Sequence, residues 1–475
     1  MSDSRYYSLK QIAGFPIRYA RETKTGMFLV CVIVSTLLTF LLRDPEFAKT
    51  QHLVLFLLFL SIGLWITEAI PPFAVGILII GFLVFTMGRE DTMDVKQYVQ
   101  TWSDGVIWLF LGGFFLASGM KKTGLDTRLL LIAAPRFGSM AKYIVLGLMM
   151  VTAVLSMVMS NTATTAMMIA TVAPLLNQPS GRQLSKILYL GIPAAAAIGG
   201  MGTIIGSAPN AIAVGALEAV GIQVSFIEWM LVGIPVALLL TLLFWLVLIK
   251  KYGIGNETLS LNFLKRTALE AIPTEEIIQK NVVLVILTLT VFLWLTSQWT
   301  GIPVAVVSGV PIVGLTMLGI IDADEVRTLP WDTLMLVAGG LSLGLAIQEQ
   351  GLIVYFIDQM STIEINFYVL LVLFSFISVV LSNFMSNTAA TTILIPIAIS
   401  FSAASGAVNP VVLPIAIGLC ASCALLLPVS TPPNAIVYST GRVEQSEFRL
   451  GGVFVGLLGP VLIILWTLLV SYIFF

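Results

Sequence analysis

The stretch MSNTATTAMM at residues 159–168 sets the polar tripeptide Ser160-Asn161-Thr162 inside a long apolar segment. The chain repeats it as MSNTAATTIL at residues 385–394, where Ser386-Asn387-Thr388 lies 226 residues further on. Apolar runs recur by chance in any hydrophobic chain, whereas a polar tripeptide in matching surroundings does not. The recurrence therefore predicts one ancestral unit used twice, with a polar cluster inside each copy.

The composition indicates the class of protein. Hydrophobic residues make up 58% of the chain and charged residues 10%, against roughly 25% charged residues in soluble domains. Because about 20 apolar residues form one membrane span, a mean hydropathy of +1.01 over 475 residues predicts an all-α polytopic membrane protein. The net charge of −1 gives no reason to expect a nucleic-acid partner. We expect the apolar run that starts near Met27 to be an uncleaved first span, since no signal peptide precedes it.

The two halves of the chain match beyond the tripeptide. The matching pairs are Leu64-Trp65-Ile66-Thr67 with Leu293-Trp294-Leu295-Thr296, Gly112-Gly113 with Gly339-Gly340, and Gly206-Ser207-Ala208-Pro209-Asn210 with Ser430-Thr431-Pro432-Pro433-Asn434. One unit runs from about residue 53 to 250 and the other from about 282 to 475, with the first span left over. The apolar stretches predict about 11 transmembrane helices in two repeats.

The segment around each tripeptide is too long for one upright helix. Residues 143–176 carry no charge, and as a straight helix they would span about 51 Å, against a hydrocarbon core of about 30 Å. Two shorter helices that meet at the tripeptide would form a re-entrant hairpin, whose tip must be buried in protein or line a cavity. Two cramped full spans or one tilted helix are the alternatives.

Re-entrant hairpins would make each unit cross the membrane five times, and an odd number of crossings inverts the second unit relative to the first. With the N-terminus inside and the C-terminus outside, this topology puts 20 of the 24 Lys and Arg residues on the inner side. The positive-inside rule requires such an asymmetry. The sequence therefore predicts two inverted repeats.

A second recurring feature is a Pro-Asn motif in a long apolar stretch, at Pro209-Asn210 and again at Pro433-Asn434. Proline cannot continue the helical hydrogen-bond ladder, so we predict a broken helix in each copy, within residues 186–218 and 410–440. The freed carbonyls would need partners, and a hard cation is one solution because such ions prefer oxygen ligands. A plain kink packed on a neighbour is the alternative, but discontinuous helices at corresponding positions are typical of a transporter site.

Residues 365–441 contain no Asp, Glu, Lys or Arg, so any chemistry there depends on hydroxyls, amides and backbone groups. The second helix of each hairpin would present free N–H groups and the positive end of its dipole at the tip, and these attract an anion. Two such tips facing each other could hold a molecule with a negative charge at each end. The sequence thus predicts a small dianion, bound without arginine.

Other features carry less functional weight. Gly200-Met201-Gly202 lies in an apolar span and indicates close helix packing rather than a nucleotide loop. Cys420 and Cys423 indicate packing rather than a metal site, and no nucleophile–base set supports an enzyme. The carboxylates near predicted span ends, which caps or headgroups would satisfy, are Glu68, Asp104, Glu228 and Asp332. The tryptophans expected at the membrane interface are Trp102, Trp229, Trp299 and Trp331.

Twin Ser-Asn-Thr hairpins, each followed by a Pro-Asn helix break, make the chain similar to the divalent anion/sodium symporter family of dicarboxylate transporters. The resemblance covers nearly the whole chain. The stretch SCALLLPVSTPPNAIV at residues 422–437 is similar to the signature of that family, although Leu425 stands where the family often has Phe. The resemblance implies a homodimer in which each protomer has a dimerising scaffold domain and a transport domain that moves across the membrane like an elevator.

The resemblance implies a division of the chain into six parts. These are an N-terminal segment with the first span (residues 1–52), a scaffold part (53–142), a transport part with hairpin and broken helix (143–250), a cytoplasmic linker (251–281), a second scaffold part (282–364) and a second transport part with hairpin and broken helix (365–475).

The resemblance also implies the site residues by motif position. The residues expected to contact the substrate carboxylates are Asn161, Thr162, Asn387, Thr388, Thr431 and Pro432. The first sodium site would be formed by Ser156, Ser160, Asn161 and the backbone near Gly206. The second would be formed by Ser382, Asn387 and the backbone near Ser430. Ala208 stands where the second copy has Pro432, which departs from the symmetry around the first cation site.

The function implied is secondary-active transport of a four- or five-carbon dicarboxylate, such as succinate, malate, fumarate or 2-oxoglutarate, across the cytoplasmic membrane. The partners expected are this substrate, membrane lipid, a second copy of the chain and sodium ions. Sodium symport and sodium-independent exchange both stay open. The alternatives are a transporter of another divalent anion, such as sulfate or a tricarboxylate, and an anion channel.

Overall fold

The computed structural model describes residues 9–88, 95–176, 182–254, 257–258, 274–352, 355, 366–404 and 409–474. Within these ranges the regular elements are helices, and the β contact there is an isolated bridge between Met140 and Thr258. The prediction of an all-α protein is therefore confirmed.

The described part of the first half of the chain forms eleven α-helices. They are α1 (Leu9–Leu41), α2 (Lys49–Thr67), α3 (Pro72–Met87), α4 (Lys96–Gln100), α5 (Gly105–Thr123), α6 (Leu125–Ala133), α7 (Ala141–Ser156), α8 (Asn161–Leu176), α9 (Arg182–Gly199), α10 (Ala208–Ala219) and α11 (Phe226–Tyr252).

The second half forms the remaining helices of the described part. They are α12 (Thr274–Leu295), α13 (Ser297–Thr300), α14 (Val304–Val307), α15 (Gly309–Met317), α16 (Ala323–Arg327), α17 (Trp331–Glu349), α18 (Phe367–Phe384), α19 (Asn387–Ala404), α20 (Val412–Ala421), α21 (Pro432–Ser439) and α22 (Gln445–Phe474).

Nine helical segments in the described part of the chain are long and apolar enough to cross a membrane. They are α1, α2, the α4–α5 segment, α9, α11, α12, α17, α18 and α22. Shorter apolar helices include α3, the α14–α15 pair and α20. The chain is therefore a multi-pass membrane protein.

Both uncharged segments turn at their tripeptide. In the first, α7 ends at Ser156 and α8 begins at Asn161, and in the second, α18 ends at Phe384 and α19 begins at Asn387. The two helices of each pair pack against each other, so one straight tilted helix is wrong for either segment. Arms of 16 and 18 residues measure about 24 and 27 Å, more than half of the hydrocarbon core. The re-entrant path and the inversion of the second unit stay predictions.

Both Pro-Asn stretches are discontinuous, but the break does not lie at the prolines. Two 3₁₀ turns cover residues 200–206 between α9 and α10, and non-helical chain covers most of residues 422–431 between α20 and α21. Pro209 and Pro432 fall in the first turn of the helix that follows, where a missing N–H breaks no helical hydrogen bond. Proline therefore sets where the second helix begins rather than interrupting a continuous one.

Glycine pairs let the long helices of the two halves touch. Helix α3 packs along α17, and α14 and α15 pack along α5. A Cβ added at Gly339 would come closer than 3.0 Å to the backbone of Gly76, and one added at Gly112 would lie 2.7 Å from Cβ of Ser308. Since real Cβ atoms essentially never approach so closely, these crossings depend on glycine.

Two of the four carboxylates at the ends of spans, Asp104 and Glu228, act as helix caps. Asp104 accepts a hydrogen bond from the backbone N–H of Val106 at the start of α5, at 2.9 Å. Glu228 accepts one from the N–H of Ser225 at 2.7 Å, which completes a capping box at the start of α11. Each cap satisfies a backbone donor that a helix end would otherwise leave unpaired.

Part of the expected division lies outside the described residues. Of the linker at residues 251–281, the structure describes 251–254, 257–258 and 274–281, and it does not describe residues 1–8. The division into scaffold and transport parts stays a prediction, as does the orientation of the two termini.

Candidate functional site

The first tripeptide caps the helix that it begins. The hydroxyl oxygen of Ser160 accepts a hydrogen bond from the backbone N–H of Ala163 at 3.2 Å, the geometry of an N-cap. Asn161 is the first residue of α8, and its Oδ1 accepts a hydrogen bond from the hydroxyl of Ser156 at 2.6 Å. Ser156 is fully buried. Three of the four residues predicted for the first cation site are thus brought together at one turn.

The fourth, Gly206, reaches the same place through the backbone of the first break. A Cβ added at Gly200 would lie 2.7 Å from Oδ1 of Asn161 and 2.9 Å from the carbonyl oxygen of Gly206. One added at Gly206 would lie 2.6 Å from the carbonyl oxygen of Gly200 and 3.1 Å from that of Ser156. Oxygens from three segments therefore surround one space. This space is open because Gly200 and Gly206 have no side chain. Such a set of neutral oxygens fits a hard cation such as sodium.

The carbonyls freed by the first break have protein partners. The Asn210 amide donates from Nδ2 to the carbonyls of Gly200 and Thr203, at 2.8 and 2.7 Å. The Thr203 hydroxyl donates to the carbonyl of Met157 in the turn after α7. The Thr203 bond holds the break against the hairpin, and the Asn210 bonds hold the unwound backbone to the start of α10.

Trp229 supports the same break and corrects a prediction. Its side chain is fully buried, and its indole N–H donates to the carbonyl of Met201 at 3.0 Å. The expectation of an interfacial tryptophan is therefore wrong for this residue. A position near the start of α11 does not reveal which side of the helix faces the protein, and here the indole faces the break.

The second tripeptide repeats the cap, but the oxygens that correspond to the bonded pair of the first copy are unpaired. The Ser386 hydroxyl oxygen accepts from the N–H of Ala389 at 3.2 Å, as Ser160 does from Ala163. The hydroxyl of Ser382 and Oδ1 of Asn387 are both buried and have no hydrogen-bond partner among the described residues. A buried polar atom without a partner costs about 1–3 kcal/mol, so these two oxygens, which correspond to the bonded pair of Ser156 and Asn161, fit a bound cation.

The second break is held by a different set of atoms. The Ser430 hydroxyl lies 3.1 Å from the carbonyl of Ala424 and 2.8 Å from that of Leu427. Nδ2 of Asn434 donates to Leu427 as well, at 3.3 Å. Oδ1 of Asn383, in the last turn of α18, accepts from the N–H of Leu426 at 2.9 Å. Ser430 therefore bonds to the backbone through its side chain.

The residues predicted to bind substrate lie at two helix starts and on one break. Thr162 and Thr388 are half-buried in the first turns of α8 and α19. Thr431 is buried and caps α21, with its Oγ1 3.4 Å from the N–H of Asn434, whereas the neighbouring Pro432 is exposed. Among the described residues no hydrogen bond joins the two tripeptides directly.

The two halves interlock around these groups. Helix α21 from the second break packs on α8 and α9 of the first half, and α10 from the first break packs on α19 and α20 of the second half. The second helix of each hairpin is thus next to the second helix of the other half's break.

Two site residues have roles that the sequence analysis missed. Gly200 was interpreted as packing only, although its missing Cβ also opens the space beside Asn161. Asn383 was not singled out, although it joins the second hairpin to the second break. An amide in an uncharged helix, three residues before the tripeptide, is the signal that could have identified Asn383.

The site offers neutral groups and helix ends rather than charges. The described residues from 366 to 404 and from 409 to 441 include no charged side chain. No group of three or more His, Cys, Asp and Glu side chains lies close enough to hold a metal ion within the described part. Hydroxyls, amides, carbonyls and helix N-termini can bind a carboxylate and an alkali cation together.

The chain is similar to known proteins over nearly its whole length. The sequence model of the family described as "Sodium:sulfate symporter transmembrane region" matches residues 23–474. The sodium-dependent dicarboxylate transporter SdcS of Staphylococcus saprophyticus is 32% identical over 463 residues, which cover 90% of this chain and 88% of that protein. SdcS of Staphylococcus aureus strain USA300 is 32% identical over 467 residues, with the same two coverages.

A solved structure shares the fold. MtrF of Neisseria gonorrhoeae matches with a TM-score of 0.59 at 12% identity, over 86% of this chain and 96% of that one. The family match covers nearly the whole described chain, and relatives exceed 30% identity over nine-tenths of it. The protein therefore belongs to the divalent anion/sodium symporter family, the family of the sodium:sulfate symporters.

Proposed function

We propose that this protein is a secondary-active transporter that carries four- or five-carbon dicarboxylates across the cytoplasmic membrane, coupled to sodium. The observation that carries the proposal is the buried, unpaired oxygen pair of Ser382 and Asn387 beside the N-terminus of α19. An oxygen pair that favours a cation next to a helix end that favours an anion is the arrangement that sodium–carboxylate cotransport needs. The relatives named sodium-dependent dicarboxylate transporters support the same substrate and ion.

The two helix starts would share the dianion. Helices α8 and α19 each begin at the asparagine of a tripeptide, and each serine cap occupies one backbone N–H, which leaves the other first-turn N–H groups for a ligand. The hydroxyls of Thr162 and Thr388 lie in the same turns. A dicarboxylate with one carboxylate at each start would take donors from both repeats, while Thr431 and Pro432 line the site.

Sodium would offset the charge of the dianion. The first site would use Ser156, Ser160, Asn161 and the backbone at Gly206, to which the geometry adds the carbonyl of Gly200. The second site would use Ser382, Asn387 and the backbone at Ser430. With cations bound, the loaded site would cross the apolar membrane interior at a lower electrostatic cost, because neutralised charge needs less hydration.

The transport step would follow the elevator scheme. The hairpins and broken helices, residues 143–250 and 365–475, would move as one unit against a scaffold of residues 53–142 and 282–364 in each protomer of a homodimer. The interlocking of α21 with α8 and of α10 with α19 supports a single moving unit, because the two halves share their contacts.

Uptake of radiolabelled succinate into proteoliposomes tests the proposal. We expect uptake into empty vesicles that requires an inward sodium gradient. Uptake that is independent of sodium but requires internal dicarboxylate would show that the protein exchanges dicarboxylates rather than coupling them to sodium. Absence of succinate uptake under every condition would overturn the dicarboxylate assignment.

A second substrate class is favoured by the family description, which names sulfate. The same neutral donors would accept any compact dianion, because hydroxyls and N–H groups recognise oxyanions in general. Competition of sulfate and citrate against labelled succinate distinguishes these substrates. If sulfate inhibits the uptake of labelled succinate strongly and unlabelled succinate inhibits it only weakly, the substrate assignment is reversed.

A further inference from the structure

Two glycine pairs lie at equivalent positions of the repeats, Gly112-Gly113 on α5 and Gly339-Gly340 on α17. In each pair the first glycine packs within the proposed scaffold, Gly112 on Ser308 and Gly339 on Gly76. The second glycine of each pair faces the proposed transport part instead. Each helix therefore contacts both parts through adjacent residues.

The second glycines approach the transport part closely. A Cβ added at Gly340 would come closer than 3.0 Å to Cγ2 of Thr392 in α19, while Cβ and Oγ1 of Thr392 would stay 3.6 Å away. A Cβ added at Gly113 would lie 3.2 Å from Cβ of Ile205 in the first break. Both partners lie on the elements that hold the candidate site.

We propose that Gly113 and Gly340 form the sliding contact between scaffold and transport part, and that Gly340 against Thr392 sets how strongly the described conformation is populated. This inference rests on the proposed elevator transport. Contacts within one rigid part are kept during such a motion, whereas contacts between the two parts must break and form again in each cycle. A side chain at position 340 would destabilise only the states in which Thr392 lies next to it. It would therefore shift the equilibrium toward the other states.

The geometry specifies a rescue. The single Thr392 atom that meets the added Cβ is Cγ2, and serine lacks this methyl group but keeps the hydroxyl that donates to the carbonyl of Thr388 at 2.8 Å. Gly340→Ala should therefore be relieved by Thr392→Ser and not by Thr392→Val, which retains the methyl group. Gly344→Ala is the matched control on α17, because its added Cβ would meet Pro396 at an ordinary 3.7 Å.

The motion is measured by spin labels across a cavity. A cavity of about 510 Å³ lies between the α10–α11 turn and the α13–α14 region, and Gln223 and Gln298 line its opposite sides as exposed residues. Gln223 belongs to the proposed transport part and Gln298 to the proposed scaffold. Cysteines at both positions can be labelled selectively, since Cys31, Cys420 and Cys423 are buried. The distance distribution between the labels then reports the populations of the states.

We expect Gly340→Ala to lower the population of the described state, and the rate of succinate exchange, by roughly tenfold or more, since overpacking a tight contact is costly. The double variant Gly340→Ala with Thr392→Ser should restore both the population and the rate. Gly113→Ala should shift the population less, and it tests the inference if Gly340→Ala does not fold. An unchanged distribution in both single variants, or no rescue by serine, would overturn the inference. If wild type neither transports succinate nor shows more than one distance, the proposed function itself fails.

Discussion

Asn210 and Asn434 are equivalent residues that hold equivalent carbonyls. Nδ2 of Asn210 donates to Thr203 at 2.7 Å, and Nδ2 of Asn434 donates to Leu427 at 3.3 Å. Both acceptors lie seven residues before their asparagine. A shared hydrogen bond at the same spacing in two breaks is evidence of the duplication that the tripeptides indicated.

Asn210→Ala should destabilise the protein more than Asn434→Ala. Loss of Asn210 leaves the carbonyl of Gly200 without a described donor, whereas Leu427 keeps the Ser430 hydroxyl when Asn434 is lost. An unsatisfied buried group costs about 1–3 kcal/mol. Thermal unfolding in detergent compares the two variants with wild type. An equal fall in the unfolding midpoint, or a larger fall for Asn434→Ala, would contradict the difference between the two breaks.

Trp229→Phe should lower stability by about 1–3 kcal/mol, because it leaves the carbonyl of Met201 without its indole donor while keeping most of the aromatic volume. Trp331→Phe is the matched control. Its indole also donates to a backbone carbonyl, that of Val326 at 2.9 Å, but this carbonyl keeps the N–H of Leu329 as a second donor. The midpoint of thermal unfolding should fall for Trp229→Phe and change little for Trp331→Phe. Similar shifts for both would show that the buried bond has no special role.

Ser382→Ala should raise the sodium concentration needed for half-maximal succinate uptake by roughly tenfold, because it removes one of two buried oxygens that fit a cation. The maximal rate at saturating sodium should change much less. Ser375→Ala is the control, since Ser375 is a buried serine on the same helix, seven residues further from the tip. Identical sodium dependence of Ser382→Ala and wild type would remove Ser382 from the cation site.

Thr388→Ala should raise KM for succinate by about tenfold, since a hydrogen bond to a charged group contributes about 1.5–3 kcal/mol. Thr388→Ser keeps the hydroxyl and should stay near the wild-type KM. The two variants are compared by initial rates of uptake at saturating sodium. If serine and alanine raise KM equally, the methyl group of Thr388 matters and its hydroxyl does not bind the carboxylate.

The turns at the tripeptides could be predicted because polarity and length pointed to the same place. Residues 143–176 are too long for one span, and their only Ser-Asn-Thr lies at the centre. The carboxylates were predictable as caps for a similar reason, since Asp104 and Glu228 sit where helices start. Local sequence decides where a helix begins, so local patterns were sufficient.

Contacts through space were harder to predict. The break before Pro209 depends on glycines and on Asn210, which donates backwards along the chain to carbonyls at Gly200 and Thr203. The direction that Trp229 faces depends on which helix packs beside α11. A pattern of apolar and polar residues predicts neither of these contacts. Such a pattern shows which face of a helix is buried only when the two faces differ in polarity.

The junction between hairpin and break shows how far the two copies have diverged. In the first copy the Thr203 hydroxyl reaches the backbone of Met157, and in the second the Asn383 side chain receives the backbone N–H of Leu426. The break donates and the hairpin accepts in both copies, but the side chain comes from the break in the first copy and from the hairpin in the second. A chimera that joined the break of one half to the hairpin of the other would leave polar atoms without their partners at this junction. We therefore expect each hairpin to require the break of its own half.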